Sequence, residues 1–177
     1  MGSLPSPAPA AQLPEHSVLK TVYLGLGSNL GGRHANLQEA RERLQAGDLK
    51  ITRASSIYET EPRDLPNQPW FLNQVLEAET TLFPKQLLSR IQKIEREMGR
   101  QRIVPKGPRI IDIDILLFGA AVVNLPDLQI PHPRMPERRF VLEPLAEIAP
   151  DLRHPVTAKT AREMLARVSA QSVRKRS

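Results

Sequence analysis

The 177-residue chain has no cysteine. Disulfides, thiolate metal ligands and cysteine nucleophiles are therefore excluded, and a reducing compartment, the cytoplasm, is the expected location. Aromatic residues are sparse, with one Trp, two Tyr and four Phe, so each one inside a motif carries weight. No stretch approaches the roughly 18 apolar residues of a membrane helix, and the N-terminus lacks an apolar signal core. No membrane partner is expected. Acids are outnumbered by Lys and Arg, 19 against 25, yet this does not produce a basic body. Residues 157–177 hold Lys159, Arg162, Arg167, Arg174, Lys175 and Arg176 against Glu163 alone. The excess charge is terminal, and a nucleic-acid partner is not expected.

The length suits one domain with a sizeable core. Residues 1–17, rich in Pro, Ala and Ser, read as a disordered leader. Residues 18–170 read as the single domain, and 171–177 as a basic disordered tail. Within the domain, Lys20 to Gly27 has strand composition, and the glycines of GSNLGG break it. Leu37, Ala40 and Leu44 recur at helical spacing, with Gly47 as a left-handed stop. Residues 50–60 alternate as a strand, and EPRDLPNQP, with three prolines, must be a loop. Phe71 to Thr81 is a strand that puts Phe71 and Asn73 on one face. Pro84 opens a helix whose stripe is Leu87, Leu88, Ile91, Ile94 and Met98, ended by Gly99.

After a polar loop, IIDIDILLFG reads as a strand with Ile111, Ile113, Ile115 and Leu117 on a core face and Asp112 and Asp114 on the other. VVNLP suggests a further strand, and ERRFVLEPLAEIAP and TAREMLARVSA suggest helices. The fold class is therefore α+β: a ferredoxin-like βαββαβ sandwich with an additional C-terminal strand and helices.

Two aspartates one residue apart on a strand face have Cα atoms about 6.5 to 7 Å apart, so their carboxylates can meet at one metal. Few carboxylates, with other positions left to water and phosphate, is how Mg²⁺ is held beside a nucleotide. A bare Asp-x-Asp more often only solvates a sheet face. Here Arg100, Arg102, Lys106 and Arg109 lie just upstream with no acid between Gly99 and Arg109, and guanidinium forks match phosphate oxygens. A second cluster, IPHPRMPERRF, supplies His132, Arg134, Arg138, Arg139 and Phe140. GLGSNLGG lacks the third glycine of a dinucleotide fingerprint and the lysine of a Walker motif, so it reads as a turn.

The ordered segments GLGSNLG, FLNQV, GPRIIDIDILLFG and IPHPRMPERRFVLEPL, from about Thr21 to Pro150, resemble the 6-hydroxymethyl-7,8-dihydropterin pyrophosphokinase family of folate biosynthesis. The resemblance implies transfer of diphosphate from ATP to the pterin, with AMP leaving, and two Mg²⁺ ions held by Asp112 and Asp114. It implies that Arg100 and Arg109 accompany the transferring diphosphate, and that Gln92, Glu95, Arg102, Lys106, His132 and Arg138 bind ATP. For the pterin it implies Asn73 at the ring edge, Phe71 and Phe140 on the ring faces, and backbone around Thr60 and Arg63. Since the matched residues include no obvious general base, metal would acidify the attacking hydroxyl. The enzyme is expected to act as a monomer. Lys106 stands where relatives often carry a tryptophan. The cations from Gly99 to Arg109 are expected to repel one another until phosphate arrives. The rival reading is an RNA-binding module, which shares the βαββαβ order but needs stacking aromatics where this chain has Asp112 and Asp114.

Overall fold

A computed structural model of the chain describes residues 2–5, 18–62, 67–100, 106–168 and 171–176. Most of the expected leader, together with Arg63 and Arg102, lies outside the described residues.

Strand β1 (Lys20–Ser28) is an interior strand of the main sheet. Its alternation sends Val22, Leu24 and Leu26 to one face, and Tyr23, Gly25 and Gly27 to the other. Helix α1 (Arg33–Leu44) buries Leu37, Ala40 and Leu44 against the first face. It ends at Gln45 in extended backbone, so Gly47 is not the left-handed stop that the sequence suggested. The 50–60 segment is two strands, β2 (Leu49–Ala54) and β3 (Tyr58–Thr60). The break falls at Ser55, whose Oγ accepts from the Val75 amide at 2.9 Å and whose own amide donates to the Val75 carbonyl at 2.9 Å.

Strand β4 (Phe71–Thr80) pairs antiparallel with β1, with Leu24 opposite Leu76 and both fully buried. Burying such a side chain is worth ~1.5–3 kcal/mol. Helix α2 (Pro84–Glu97) has Pro at its first turn, and the Gln86 side chain accepts from the Phe83 amide at 2.8 Å. Gly99 ends it at φ +85°, where glycine is favoured. Strand β5 (Asp112–Phe118) follows, then a small hairpin, β6 (Val123–Leu125) with β7 (Leu128–Ile130). Helices α3 (Arg139–Ile148) and α4 (Ala161–Arg167) come next. Thr160 caps α4 by accepting from the Glu163 amide at 3.1 Å.

With a last strand, β8 (Val173–Lys175), the sheet runs β5-β1-β4-β3-β8, with β2 also on β4, and every pairing is antiparallel. Helices cover both faces. α1 and α2 pack on Leu24, Leu76 and Ile113, while α3 and α4 pack on Tyr23, Val75 and Leu116. An irregularity between Tyr23 and Leu24 shifts the β1–β5 register, so Ile113 and Ile115 keep the first face but Leu117 turns to the second. Among the described residues no helix is long and apolar enough to cross a membrane.

The expected disordered tail 171–177 is corrected by β8 (Val173–Lys175), which pairs with β3. Composition pointed to solvation because three of the last four residues are basic. The free edge of β3 gives the same residues backbone partners, and an edge strand left bare is a liability.

Candidate active site

Asp112 and Asp114 lie on the α3 side of β5, opposite Gly27 and Gly25 of β1. The next strand places Asn73 opposite Gly27, and the one beyond pairs Tyr58 with Asn73 and Thr60 with Phe71. One face thus reads from the acidic pair, across two glycines, to Asn73 and Phe71. The glycines leave a floor without side chains. A cleft opens over it, lined by Asp112, Asp114, Asn73, Thr60, Phe71 and Phe140 together with Lys106, Arg109 and Arg138.

Asn73 is 7 % exposed and donates through Nδ2 to Thr60 Oγ1 at 2.6 Å. Its Oδ1 fills the space above Gly27, 2.9 Å from where a Cβ would stand. The Arg109 guanidinium lies 5.6 Å from the centre of the Phe71 ring, and that of Arg138 lies 5.4 Å from the Phe140 ring. Both are within cation–π reach.

Two of the loop arginines, Arg100 and Arg109, are already paired. Arg100 Nη1 is 3.0 Å from Asp112 Oδ1 and also bonds the Glu95 carboxylate, while Arg109 Nη1 donates to the other Asp112 oxygen at 2.9 Å. The expectation that these cations repel one another until phosphate arrives is corrected for Arg100 and Arg109, because Asp112 and Glu95 supply the counter-charge. Burial alone would lower the Arg100 pKa, and the Asp112 and Glu95 carboxylates outweigh it. Burial pushes Glu95 up from the usual carboxylate range despite Arg100; its second oxygen accepts from the Ile113 amide at 3.1 Å. Asp114 is raised first by burial and then by Asp112, with Arg138 at 4.0 Å pulling the other way. Arg100 Nε is buried with no hydrogen-bond partner among the described residues.

His132 lies across Asp114 from the first cleft, in a second groove that also includes Leu88, Ile113, Asp127 and Leu128. Burial, then Arg138, lowers its pKa to about 4. It is neutral at pH 7. Its Nδ1 accepts from the Arg134 amide at 3.2 Å, which leaves Nε2 to carry the proton. Gln92 is exposed on α2 and lines neither cavity.

Several lining or supporting residues were not singled out from sequence. Gln68 and Glu61 line the cleft. Asn29 is buried, accepts from the Arg109 amide at 2.7 Å and donates to Gln68 Oε1 at 2.9 Å, tying two loops together. The asparagine in GLGSNLGG was the only signal, and it reads locally as a turn residue.

A carboxylate pair ringed by guanidinium groups, beside a glycine-floored slot with aromatic walls, suits an enzyme that handles phosphate and a flat ring. Residues 23–150 match the family described as 7,8-dihydro-6-hydroxymethylpterin-pyrophosphokinase (HPPK). The chain belongs to that family. The 2-amino-4-hydroxy-6-hydroxymethyldihydropteridine pyrophosphokinase of Aquifex aeolicus is 44 % identical over 145 residues, covering 82 % of this chain and 90 % of that protein. The protein of the same name from Bacillus subtilis is 46 % identical over 138 residues, covering 77 % and 83 %. The folic acid synthesis protein fol1 of Pneumocystis carinii is 46 % identical over 138 residues; the chain spans 19 % of its length. A crystal structure of Plasmodium falciparum HPPK-DHPS with pteroate shares the fold at TM-score 0.69 and 19 % identity, over 86 % of this chain and 41 % of that one.

Proposed function

We propose that the chain transfers the terminal diphosphate of ATP to 6-hydroxymethyl-7,8-dihydropterin, giving AMP and the pterin diphosphate for folate synthesis. The observation that carries the reading is that two cavities meet at Asp114: the aromatic slot on one side and the Leu88–His132 groove on the other. A pterin in the first and a nucleoside in the second would bring the phosphates over the aspartates.

Asp112 and Asp114 fit a hard divalent cation. Among the described residues there is no group of three or more His, Asp or Glu that could hold a metal, so two carboxylates would leave most positions to water and phosphate, as Mg²⁺ prefers. Bound there, two Mg²⁺ ions would neutralise phosphate charge and lower the pKa of the attacking hydroxyl. The chain's own residues do the positioning. Asn73 reads the ring edge with Thr60 beneath it, and Phe71 and Phe140 bracket the ring. The backbone at Thr60 and Arg63 completes the pterin contacts. Arg100 and Arg109 exchange Asp112 for the transferring diphosphate as the hydroxymethyl oxygen bonds to the β-phosphorus and the bond to the bridging α-phosphate oxygen breaks. Neutral His132, through Nε2–H, with Arg138, Arg102 and Lys106, contacts the phosphates; Gln92 and Glu95 are nucleotide-side residues by resemblance. The core order is read as ferredoxin-like, and the enzyme as a cytoplasmic monomer. An RNA-binding reading has no support: α3 and α4 cover the sheet face where bases would stack.

Incubation with ATP, Mg²⁺ and the hydroxymethyl pterin should release AMP; ADP as product would sink the proposal. A sharper expectation concerns Gly27. In Gly27→Ala the new methyl would meet Asn73 Oδ1 and, more loosely, the Phe71 ring at 3.6 Å. Displacing Asn73 breaks its bond to Thr60, so pterin KM should rise roughly tenfold while ATP Kd holds. Unchanged pterin KM would show that Asn73 does not read the ring.

A further inference from the structure

Six residues at the C-terminus hold both ends of the loop that flanks the aromatic slot. At one end lies β3, only three residues long, with Tyr58, Glu59 and Thr60 opposite Lys175, Arg174 and Val173. Past it, the Gln171 side chain donates to the Glu61 carbonyl at 3.2 Å, the Ser172 amide donates to the Glu61 carboxylate at 3.0 Å, and the Glu61 amide donates back to the Ser172 carbonyl at 3.4 Å. Gln171 is 7 % exposed, and Thr60 and Glu61 both line the cleft.

At the other end lies Trp70, next to Phe71. The Arg174 guanidinium sits 5.0 Å from the centre of the Trp70 indole. Arg33 donates to the Trp70 carbonyl at 2.9 Å and pairs with Glu59 at 3.2 Å, while Arg176 takes the other Glu59 oxygen at 2.8 Å. Both arginines of the segment are therefore engaged at specific sites, and a backbone bond from Arg176 to the Ile57 carbonyl at 2.7 Å closes the set.

The geometry points to Gln171–Arg176 as a positioning strap for the ring-binding end of the cleft, setting where Thr60, Glu61 and Phe71 stand and so controlling affinity for the acceptor. The inference rests on the assignment of that slot to the pterin. None of these residues reaches the aspartates, so the strap acts through the slot wall and leaves the transfer step alone. Simple protection of a β3 edge would also explain the pairing. It does not explain why the side chains of Gln171, Arg174 and Arg176 converge on the residues bordering the slot.

The test compares the full chain with a form ending at Ala170 and with full-length Arg176→Glu, Arg176→Lys and Gln171→Glu. Truncation, Arg176→Glu and Gln171→Glu should raise pterin KM roughly tenfold, the worth of one or two lost hydrogen bonds. ATP KM and kcat should stay within about threefold, and Arg176→Lys should restore the wild-type value. A fall in Tm with pterin KM unchanged would reduce the strap to an edge cover and overturn the proposal, as would equal losses in kcat and both KM values. If truncation prevents folding, the point variants decide. Amide exchange at Glu61, whose amide donates to the Ser172 carbonyl, is read in parallel. It should accelerate in the truncated and Arg176→Glu forms even if the wild-type chain makes no AMP, which separates failure of the strap from failure of the assigned reaction; unchanged exchange would also overturn the proposal.

Discussion

Asp112→Asn and Asp114→Asn should each lower kcat by about 10³-fold or more while the protein stays folded, since on the proposed reading a lost carboxylate removes ~4 kcal/mol or more of charge stabilisation where the phosphates would gather. The two variants should differ in the metal-free protein. Asp114 shares its strand face with Asp112, and its own cationic neighbour, Arg138, is 4.0 Å away. Neutralising it removes like-charge repulsion at little cost, so the Asp114→Asn Tm should equal or exceed that of the wild type. Asp112 is the partner of both Arg100 and Arg109, so Asp112→Asn should lower Tm. Near-normal kcat at saturating Mg²⁺ in either variant would remove that residue from the metal site.

The second large effect is expected at Arg100. Arg100→Ala should lose roughly 10²- to 10³-fold in kcat, the scale of removing one preorganised charge donor, with only a modest change in ATP Kd. It should also destabilise the fold, because the side chains of Arg100 and Glu95 are only 12 % and 11 % exposed. Breaking a fully buried pair costs about 3–5 kcal/mol by stranding the remaining charge. The stability loss should be smaller here, because Asp112, the other carboxylate on Arg100, reaches solvent. The double variant Arg100→Ala with Glu95→Gln separates the two losses: it should recover much of the Tm and none of the kcat. Arg109→Ala, at a site 24 % exposed, should lose turnover with little change in Tm. A defect confined to ATP binding in either arginine variant would show that these residues hold the ground state rather than the transferring group.

The arginines show where local reading reached its limit. Four cations between Gly99 and Arg109 pointed to an anion, but counting along the chain could not reveal that Glu95 and Asp112 stand beside Arg100, and Asp112 beside Arg109. The Ile111–Leu117 alternation was similarly right for two turns of the pleat and wrong at Leu117, because the register shift against β1 is a property of two strands together. The tail is the largest instance. Composition described a solvated end, yet its fate depended on an unpaired edge more than a hundred residues earlier.

The sequence alone determined the order of the main elements, the helical faces of α1 and α2, the sharing of one strand face by Phe71 and Asn73 and of another by Asp112 and Asp114, and the family. All of these rest on periodicity or motif, which are properties of neighbours along the chain. Only the tertiary structure decided that the glycines of β1 form the floor between those two pairs, that Asn29 ties the loops at Gln68 and Arg109, that Asp112 is neutralised by Arg100 and Arg109, and that residues 171–176 close the β3 edge. Each of these depends on strand register and on charges or hydrogen-bonding groups brought together from distant positions, and such pairings cost chain entropy that only the packed core offsets.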